Sequence, residues 1–392
     1  MMKKKVWLYL IIVNLLIFQN IFQQYISIVQ YFDEILAAMS IPVICVYVIK
    51  YGNSLRIKKI NLIIICTMSL LVICGLYSNI RFKYQPMIII LSDLILVLKF
   101  FVVYFMAEII LKKDVDKYGK MIVNNLKIII VVFMGLTILN YVSNIFPVDD
   151  IRYGIKSNQL FYSHPTLLAA ICIFILASYI RYEKKINSKY VFLIIFVILT
   201  TLRLKAIGGI AIIFMMALYV DKKNKKITLT KWGILALICV ALAYQQIEYY
   251  FIIIDDSARA MLASTSVKIA NNYFPLGTGF GTYGSYFSVV EYSPIYTMYG
   301  LDKTYGLVKG RAFFASDNFW PMILGQFGYL GIILYCIAIY MIYLKIQKSY
   351  KIEDKYIYIS KMICLAYLMI SSSSESAFVN SFAIPMAILL AM

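Results

Sequence analysis

Apolar residues fill most of the chain in long runs, and short basic or polar segments separate them. A run of about 20 apolar residues can cross the hydrocarbon core of a bilayer as an α-helix. Hydrophobic residues make up 62% of the 392 positions, which is more apolar surface than one soluble core can cover. The pattern predicts an all-α, polytopic membrane protein with about twelve spans, at residues 6–22, 35–49, 60–77, 87–111, 121–146, 165–180, 190–202, 206–220, 232–254, 318–344, 356–370 and 377–392.

Two pairs of predicted spans are short. Residues 190–220 are interpreted as a tight hairpin that turns at Arg203 and Lys205, because one continuous span would weaken the charge bias described next. Residues 356–392 turn at 371–374, and the last span is either kinked by Pro385 or partly re-entrant. The chain, residues 1–392, is then a single transmembrane domain whose longest extracytoplasmic loop is residues 252–317.

Basic residues outnumber acidic ones by 38 to 19, which gives a net charge of +19. Membrane proteins concentrate basic residues on the cytoplasmic side. With the N-terminus inside, 25 basic residues fall in inner segments, 11 fall in outer segments, and Lys99 and Lys127 lie within spans. The charge therefore indicates orientation, with both termini cytoplasmic, and does not require nucleic acid as a partner.

The long outer loop holds two candidate ligand-binding features. Arg259 follows the N-cap residues Asp255, Asp256 and Ser257, at a helix start whose backbone N–H groups favour anions, and so it could bind an anion there. Its alternative role is an ion pair with Asp255 or Asp256. Gly279 and Gly281 belong to a glycine-rich turn at 272–284, which is either structural or a place where the backbone approaches a ligand closely. No βαβ unit surrounds this turn, so it does not indicate a dinucleotide site.

Further polar candidates stand where outer loops meet predicted spans. Arg311 precedes Asp317 and Asn318, and Asp317 either caps the next helix or accepts a proton from a sugar hydroxyl. The shorter outer loop contains Arg152 and the single histidine, His164, which is either a helix cap or a proton-transfer or hydroxyl-binding group. One imidazole among few carboxylates is a poor zinc ligand set, so no metal is predicted.

Cations inside or at the ends of spans need partners. Arg203 and Lys205 sit in a short turn with apolar flanks, where a cation that does not merely snorkel to the interface usually meets an anion. Lys99 lies near the middle of its span, where a charge costs about 3 kcal/mol unless it faces protein, water or a partner such as Asp93. Transporters use such charges as relays, so a lipid-linked glycan flippase or other secondary transporter is an alternative.

In their order along the chain, these residues resemble the polysaccharide polymerase and O-antigen ligase family of bacterial cell membranes. The similarity covers about residues 147–340. It rests on Arg152 and Gly154, His164 and Pro165, Arg203, Arg259, the Asn-x-x-Pro-Leu-Gly-x-Gly-x-Gly turn at 272–281, and Asp317-Asn318 before a glycine-spaced span.

The resemblance implies a glycosyltransferase of the bacterial inner membrane that polymerises polyprenyl-pyrophosphate-linked oligosaccharide repeat units for O-antigen, capsule or exopolysaccharide. Such enzymes move the growing glycan to the terminal sugar of another lipid-linked unit on the outer face. The lipid-linked oligosaccharide and membrane lipid are then the partners, a chain-length regulator protein is an optional one, and no cofactor is needed. Ligases of the family are expected to carry a histidine where this chain has Asp317-Asn318, so polymerase is preferred and ligase is the first alternative.

Within this resemblance, arginines suit a pyrophosphate leaving group because the guanidinium is planar, permanently charged and binds phosphate through two hydrogen bonds. We expect Arg203 and Arg259 to stabilise the leaving pyrophosphate, and His164 or Asp317 to take the acceptor proton. The expected substrate-binding residues are Arg152, Lys205, Arg311, Asn318, Gly279 and Gly281.

Overall fold

The computed structural model describes residues 2–51, 58–111, 115–147, 151–152, 154–223, 227–228, 230, 233, 257–352 and 354–392. These residues are mostly α-helical, which confirms the predicted class. Their one sheet is a small antiparallel ribbon in which β1 (Ile151–Arg152) pairs with β2 (Ile155–Lys156).

Twelve longer helices of the described residues follow one another along the chain. They are α1 (Met2–Ile17), α2 (Phe32–Tyr51), α3 (Lys59–Phe82), α4 (Met87–Ile110), α5 (Gly119–Ser143), α6 (Pro165–Glu183), α7 (Lys189–Thr200), α8 (Leu204–Lys223), α9 (Ala258–Asn272), α10 (Phe319–Ile352), α11 (Lys355–Ser372) and α12 (Ala383–Ala391). Shorter helical segments are Gln19–Phe22, Ser27–Tyr31, Asp116–Tyr118, Phe287–Val290, Pro294–Met298, Leu301–Lys303 and Ala377–Val379.

Six helical segments of the described residues are long and apolar enough to cross a membrane, so the predicted number of twelve is wrong. Because an α-helix rises 1.5 Å per residue, α1, α7 and α12 extend only about 24, 18 and 14 Å, less than the roughly 30 Å of a hydrocarbon core. The predicted span 232–254 lies outside the described residues except for Gly233. The six segments are Ser27–Tyr51, Lys59–Phe82, Met87–Ile110, Gly119–Ser143, Pro165–Glu183 and Phe319–Tyr350, which make the chain a multi-pass membrane protein.

Both predicted turns between short apolar segments are present. Helix α7 ends at Thr200 and α8 begins at Leu204, which confirms the hairpin, and Leu202 in its turn has a φ of 52°. Helix α11 ends at Ser372, and the chain then turns through serine-rich residues into the nine-residue α12. Pro385 lies in the first turn of α12, where a missing N–H breaks no helical hydrogen bond.

Helix α6 lies at the centre of the bundle. Every residue from Leu168 to Arg181 is buried, and α5, α7 and α11 pack around the helix. A helix with apolar residues on every face is one whose faces are all buried, away from water. Its hydrophobicity therefore reflects contact with protein on every side.

A second, smaller hydrophobic core lies within the predicted outer loop. We call residues 257–318, which contain this core, the cap. Tyr283 and Tyr296 stack within it at 5.8 Å between ring centroids, and the Tyr283 hydroxyl donates to the Leu262 carbonyl at 2.6 Å. Burial raises the pKa of Tyr296 to about 12, so its hydroxyl stays protonated. The core consists of Ala258, Leu262, Ile269, Tyr283, Ile295, Tyr296, Leu301, Leu307 and Ala315.

Many polar contacts between the longer elements lie at one of the two opposite ends of the helices. One end has the basic segments predicted to be cytoplasmic, with the contacts Lys5–Ile110, Lys345–Glu108 and Lys184–Asp354. The other end, which we call the cap end, has the contacts Tyr162–Ile17, Asn158–Thr200, Gln85–Gly281 and Tyr84–Tyr273. The arginines predicted to bind substrate lie on segments of the cap end.

Candidate functional site

His164 and Arg203 form a hydrogen-bonded pair at the cap end. His164 is the N-cap residue of α6, and its Nε2 lies 2.9 Å from the Arg203 guanidinium. Its Nδ1 accepts from the Thr166 N–H at 3.3 Å, which caps the helix, and lies 2.6 Å from the Thr166 hydroxyl. The structure thus shows His164 as a helix cap, one of its two expected roles, and its contact with Arg203 was not predicted.

Asn158 explains how two segments so distant in sequence meet. It is buried, and its Nδ2 donates to the hydroxyls of Thr137 and Thr200 at 3.1 Å each. Its backbone N–H also donates to the Thr200 carbonyl at 3.0 Å. These bonds hold the loop before His164 against the end of α7, three residues before Arg203. Sequence reasoning did not single out Asn158, and the only signal was a short polar run beside it.

Arg259 and Asp317 form an ion pair across the cap. The guanidinium donates to Asp317 Oδ2 at 3.0 Å, and both side chains are about one-third exposed. Helix α9 starts just before Arg259 because the Ser257 side chain accepts from the Ala260 N–H at 3.2 Å. Asn318 adds a second link, since its Nδ2 donates to the Arg259 carbonyl at 3.0 Å. The alternative partners of Arg259, at 255 and 256, lie outside the described residues.

Residues 371–376, which we call the serine turn, lie at the cap end. On one side, Ser376 donates to the Ser316 carbonyl at 2.6 Å, directly beside Asp317. On the other side, α11 packs against α8, the helix that begins immediately after Arg203. Both arginine pairs therefore lie at the same end of the bundle, and the turn after α11 lies beside the Arg259–Asp317 pair.

Gly279 and Gly281 lie in a turn that is buried against α3, α4 and α10. Their φ angles are 97° and 71°, which favour glycine. The Gly281 N–H donates to Asp93 Oδ2 at 2.7 Å, and a Cβ on Gly279 would come within 2.7 Å of the Asn79 carboxamide. Gln326 accepts from the Gly279 N–H at 2.8 Å. These contacts agree with the structural interpretation of the turn: it packs the cap against the spanning helices.

The remaining predicted binding residues are spread over separate segments of the cap end. Arg152 lies on β1, and Arg311 is exposed at a bridge to Val308. Lys205 is in the first turn of α8, and its side chain lies outside the described part of the chain. The geometry therefore brings five predicted residues into two groups, His164 with Arg203 and Asp317 and Asn318 with Arg259, and it leaves these three on separate segments.

Lys99 is paired with carboxylates of α2 instead of Asp93. Its Nζ lies 2.5 Å from Asp33 Oδ2 and 2.6 Å from Glu34 Oε1. Lys99 and Asp33 are each only 2% exposed, and Gln19 Nε2 also donates to Asp33. The positive charge of Lys99, in the fourth predicted span, is thus paired with carboxylates of the protein itself.

The two arginine pairs combine the same two chemical features. Each places a permanent cation next to a group that can accept a proton, an arrangement suited to an anionic leaving group and a hydroxyl acceptor. Among the residues that the structure describes, no three His, Cys, Asp or Glu side chains form a group that could hold a metal ion. Comparisons of the chain with models of known protein families and with curated proteins found no match.

Proposed function

We propose that this protein is a polysaccharide polymerase of the bacterial inner membrane that joins polyprenyl-pyrophosphate-linked oligosaccharide repeats. The observation that supports this most is that Arg203 and Arg259 lie at the same end of the bundle, one hydrogen-bonded to His164 and the other paired with Asp317. The basic segments lie at the other end, so the positive-inside rule favours a cap end on the outside and an N-terminus in the cytoplasm.

The reaction exchanges one bond to the donor's anomeric carbon for another. The acceptor hydroxyl oxygen attacks this carbon, the bond to the pyrophosphate oxygen breaks, and the electron pair leaves with the pyrophosphate. Arg203 and Arg259 stabilise the charge that develops on the leaving group, since guanidinium forks bind phosphate oxygens in pairs. His164 and Asp317 are the neighbours of these arginines that can receive the hydroxyl proton.

The residues where α10 begins and the surroundings of Lys99 distinguish the alternatives. A ligase of the resembled family would be expected to carry histidine where α10 begins, and this chain has Asp317 and Asn318 there. A flippase needs charges along a central pathway, whereas the deep Lys99 is enclosed by its own carboxylate partners. Polymerase therefore remains the proposal, with ligase as the first alternative and a transporter as the second.

Arg259 provides the direct test. We expect Arg259→Ala to reduce polymerisation about 10²–10³-fold, as for loss of one donor to a developing anion. Arg259→Lys should not restore activity, because an ammonium lacks the two-pronged geometry. The measurement is the glycan chain length on the lipid carrier in cells that depend on the introduced gene.

Lys268→Ala is the matched control, since Lys268 is exposed on the same helix α9. This variant should make polymer of wild-type length. Full-length polymer from both Arg259 variants would remove Arg259 from the active site. A wild-type gene that restores no polymer to a host lacking its own copy would contradict the proposed function itself.

A further inference from the structure

Residues 303–314, which we call the aromatic hairpin, reverse direction in a tight turn on the surface of the cap. The Arg311 N–H donates to the Val308 carbonyl at 2.8 Å, which closes the turn. Gly310, the third residue of this turn, has a φ of 76°, and a type II turn requires a positive φ at that position. The end of the hairpin is thus fixed by a hydrogen bond of its own backbone.

The base of the aromatic hairpin is fixed to the cap core. Leu307 is a buried member of that core, and its carbonyl accepts from the Tyr292 hydroxyl at 2.7 Å. Across the hairpin, the Phe314 N–H donates to the Gly306 carbonyl at 3.1 Å, and a Cβ on Gly306 would overlap the Phe314 ring. The Phe314 ring therefore lies directly on the backbone of the opposite side, so a rigid frame presents the side chains of the hairpin.

Three aromatic side chains of the hairpin are exposed. Tyr305 is 80% exposed, Phe313 is 69% exposed and Phe314 is 39% exposed. The ring centroids of Tyr305 and Phe314 lie 6.2 Å apart. Single exposed apolar residues are ordinary in proteins, but a group of rings on one rigid segment is typical of a surface that binds a partner.

The same segment is basic, and residues 303–314 contain no acidic residue. Its exposed cations are Lys303, Lys309 and Arg311. Within the described part of the chain, none of these three side chains takes part in an ion pair. Of the acids just outside the hairpin, Asp302 is partly buried and Asp317 is paired with Arg259. The hairpin therefore combines exposed rings with positive charge that no described acid neutralises.

An acidic sugar matches both features of the hairpin. One face of a pyranose ring carries C–H groups and can pack on an aromatic ring, which is a large and rigid apolar surface. A carboxylate on the same sugar can pair with a guanidinium through two hydrogen bonds. Ala312 packs against the cap core, and Arg311 and Phe313 on either side of it are exposed. A guanidinium and a ring are thus presented together, and a neutral glycan would use only the ring.

The aromatic hairpin leads directly to one of the arginine pairs. The Asp317 N–H donates to the Phe314 carbonyl at 3.2 Å, and the Asp317 carboxylate accepts from Arg259. We propose that the hairpin binds the growing glycan beside this pair and that the glycan carries sugars with carboxylates. The inference rests on the proposed polymerase function and names its substrate class.

The test measures the binding of defined oligosaccharides to the purified full-length protein in nanodiscs of phosphatidylcholine. We expect hexagalacturonate to bind about ten-fold more tightly than the neutral maltohexaose, because hydrogen bonds to a charged group are the stronger ones. Arg311→Ala and Phe313→Ala should each weaken the binding of hexagalacturonate about ten-fold, since one removes the guanidinium and the other the ring. Phe313→Tyr keeps a ring and should bind within about two-fold of wild type.

Matched controls remove the same kinds of group elsewhere on the cap. Lys268→Ala removes an exposed cation from α9, and Met298→Ala removes an exposed apolar side chain, so both should bind as wild type does. Because the replaced side chains are exposed, we expect all of these variants to fold. Equal binding of the two hexasaccharides by wild type overturns the inference, and so do Arg311→Ala and Phe313→Ala variants that bind like the controls.

A second measurement distinguishes a glycan from a lipid surface as the partner. Phe313→Trp adds a fluorophore to the hairpin, and phospholipids with brominated chains quench a tryptophan that lies in the bilayer. We expect the added fluorescence to resist this quenching and to change when hexagalacturonate binds, whereas quenching by the lipid overturns the inference. If wild-type protein binds hexagalacturonate but forms no polymer from lipid-linked repeat units, the proposed function fails. A polymerase that does not distinguish the two hexasaccharides refutes only the substrate class.

Discussion

Replacing Lys99 by methionine should lower the free energy of unfolding by about 3–5 kcal/mol, the usual cost of removing one partner from a buried ion pair. Lys99 is 2% exposed and contacts two carboxylates, at 2.5 Å and 2.6 Å. Methionine has a similar length but no charge, so Asp33 and Glu34 would remain buried without a counter-ion. In a membrane-spanning segment, water offers them little compensation.

The charge count within this cluster gives two internal controls. One lysine and two carboxylates leave a formal charge of −1, so Glu34→Gln keeps a neutral Lys99–Asp33 pair and should cost less than about 1 kcal/mol. The double variant Lys99→Met/Asp33→Asn removes one charge of each sign and should recover part of the loss.

Reversible unfolding in mixed detergent micelles, followed by tryptophan fluorescence, measures these differences. The reasoning would be refuted if Lys99→Met unfolded within 1 kcal/mol of wild type. It would also be refuted if the double variant were less stable than the single one, because the loss would then not come from uncompensated carboxylates.

Two further predictions concern the cap and the cytoplasmic end. Gly279→Ala should destabilise the protein by about 1–3 kcal/mol, because it strains a φ of 97° and brings a Cβ within 2.7 Å of Asn79. Thermal melting of the variant and of wild type measures this loss, and equal midpoints would refute it. Burial would raise the pKa of Asp354, but hydrogen bonds from Lys184 and the Tyr356 N–H outweigh burial and lower that pKa. Its stabilisation is therefore present above the ordinary carboxyl pKa and is lost as pH falls through the lowered value. Because asparagine still caps a helix and Lys184 is 59% exposed, Asp354→Asn should cost less than about 1 kcal/mol at pH 7, and unfolding measured at pH 3 should show a smaller difference.

The positions of the helices could be predicted from the apolar runs, but the number of spans could not. Hydropathy reports that a helix avoids water and does not distinguish lipid from protein as its surroundings. Helices α7 and α12 are apolar although they are too short to span a bilayer. A hydropathy pattern therefore overcounts spans where short apolar helices pack within a bundle.

The separate parts of the site could be predicted, but their pairing could not. Arg203 and His164 are 39 residues apart, and the contact depends on the buried Asn158, whose importance no local pattern indicates. Lys99 was expected to face protein, water or a partner such as Asp93, and its partners are Asp33 and Glu34 on another helix. Asp93 is not that partner because residues six apart on one helix do not face each other.

The enclosed position of α6 also decides how the protein responds to its lipid environment. Thickening or thinning a bilayer tilts or strains helices that contact lipid. The exposed faces of α3 and α5 contact lipid and would tilt or strain in this way. Helix α6 contacts only neighbouring helices over most of its length. His164 caps this sheltered helix, so its position at the cap end is insulated from changes in membrane thickness.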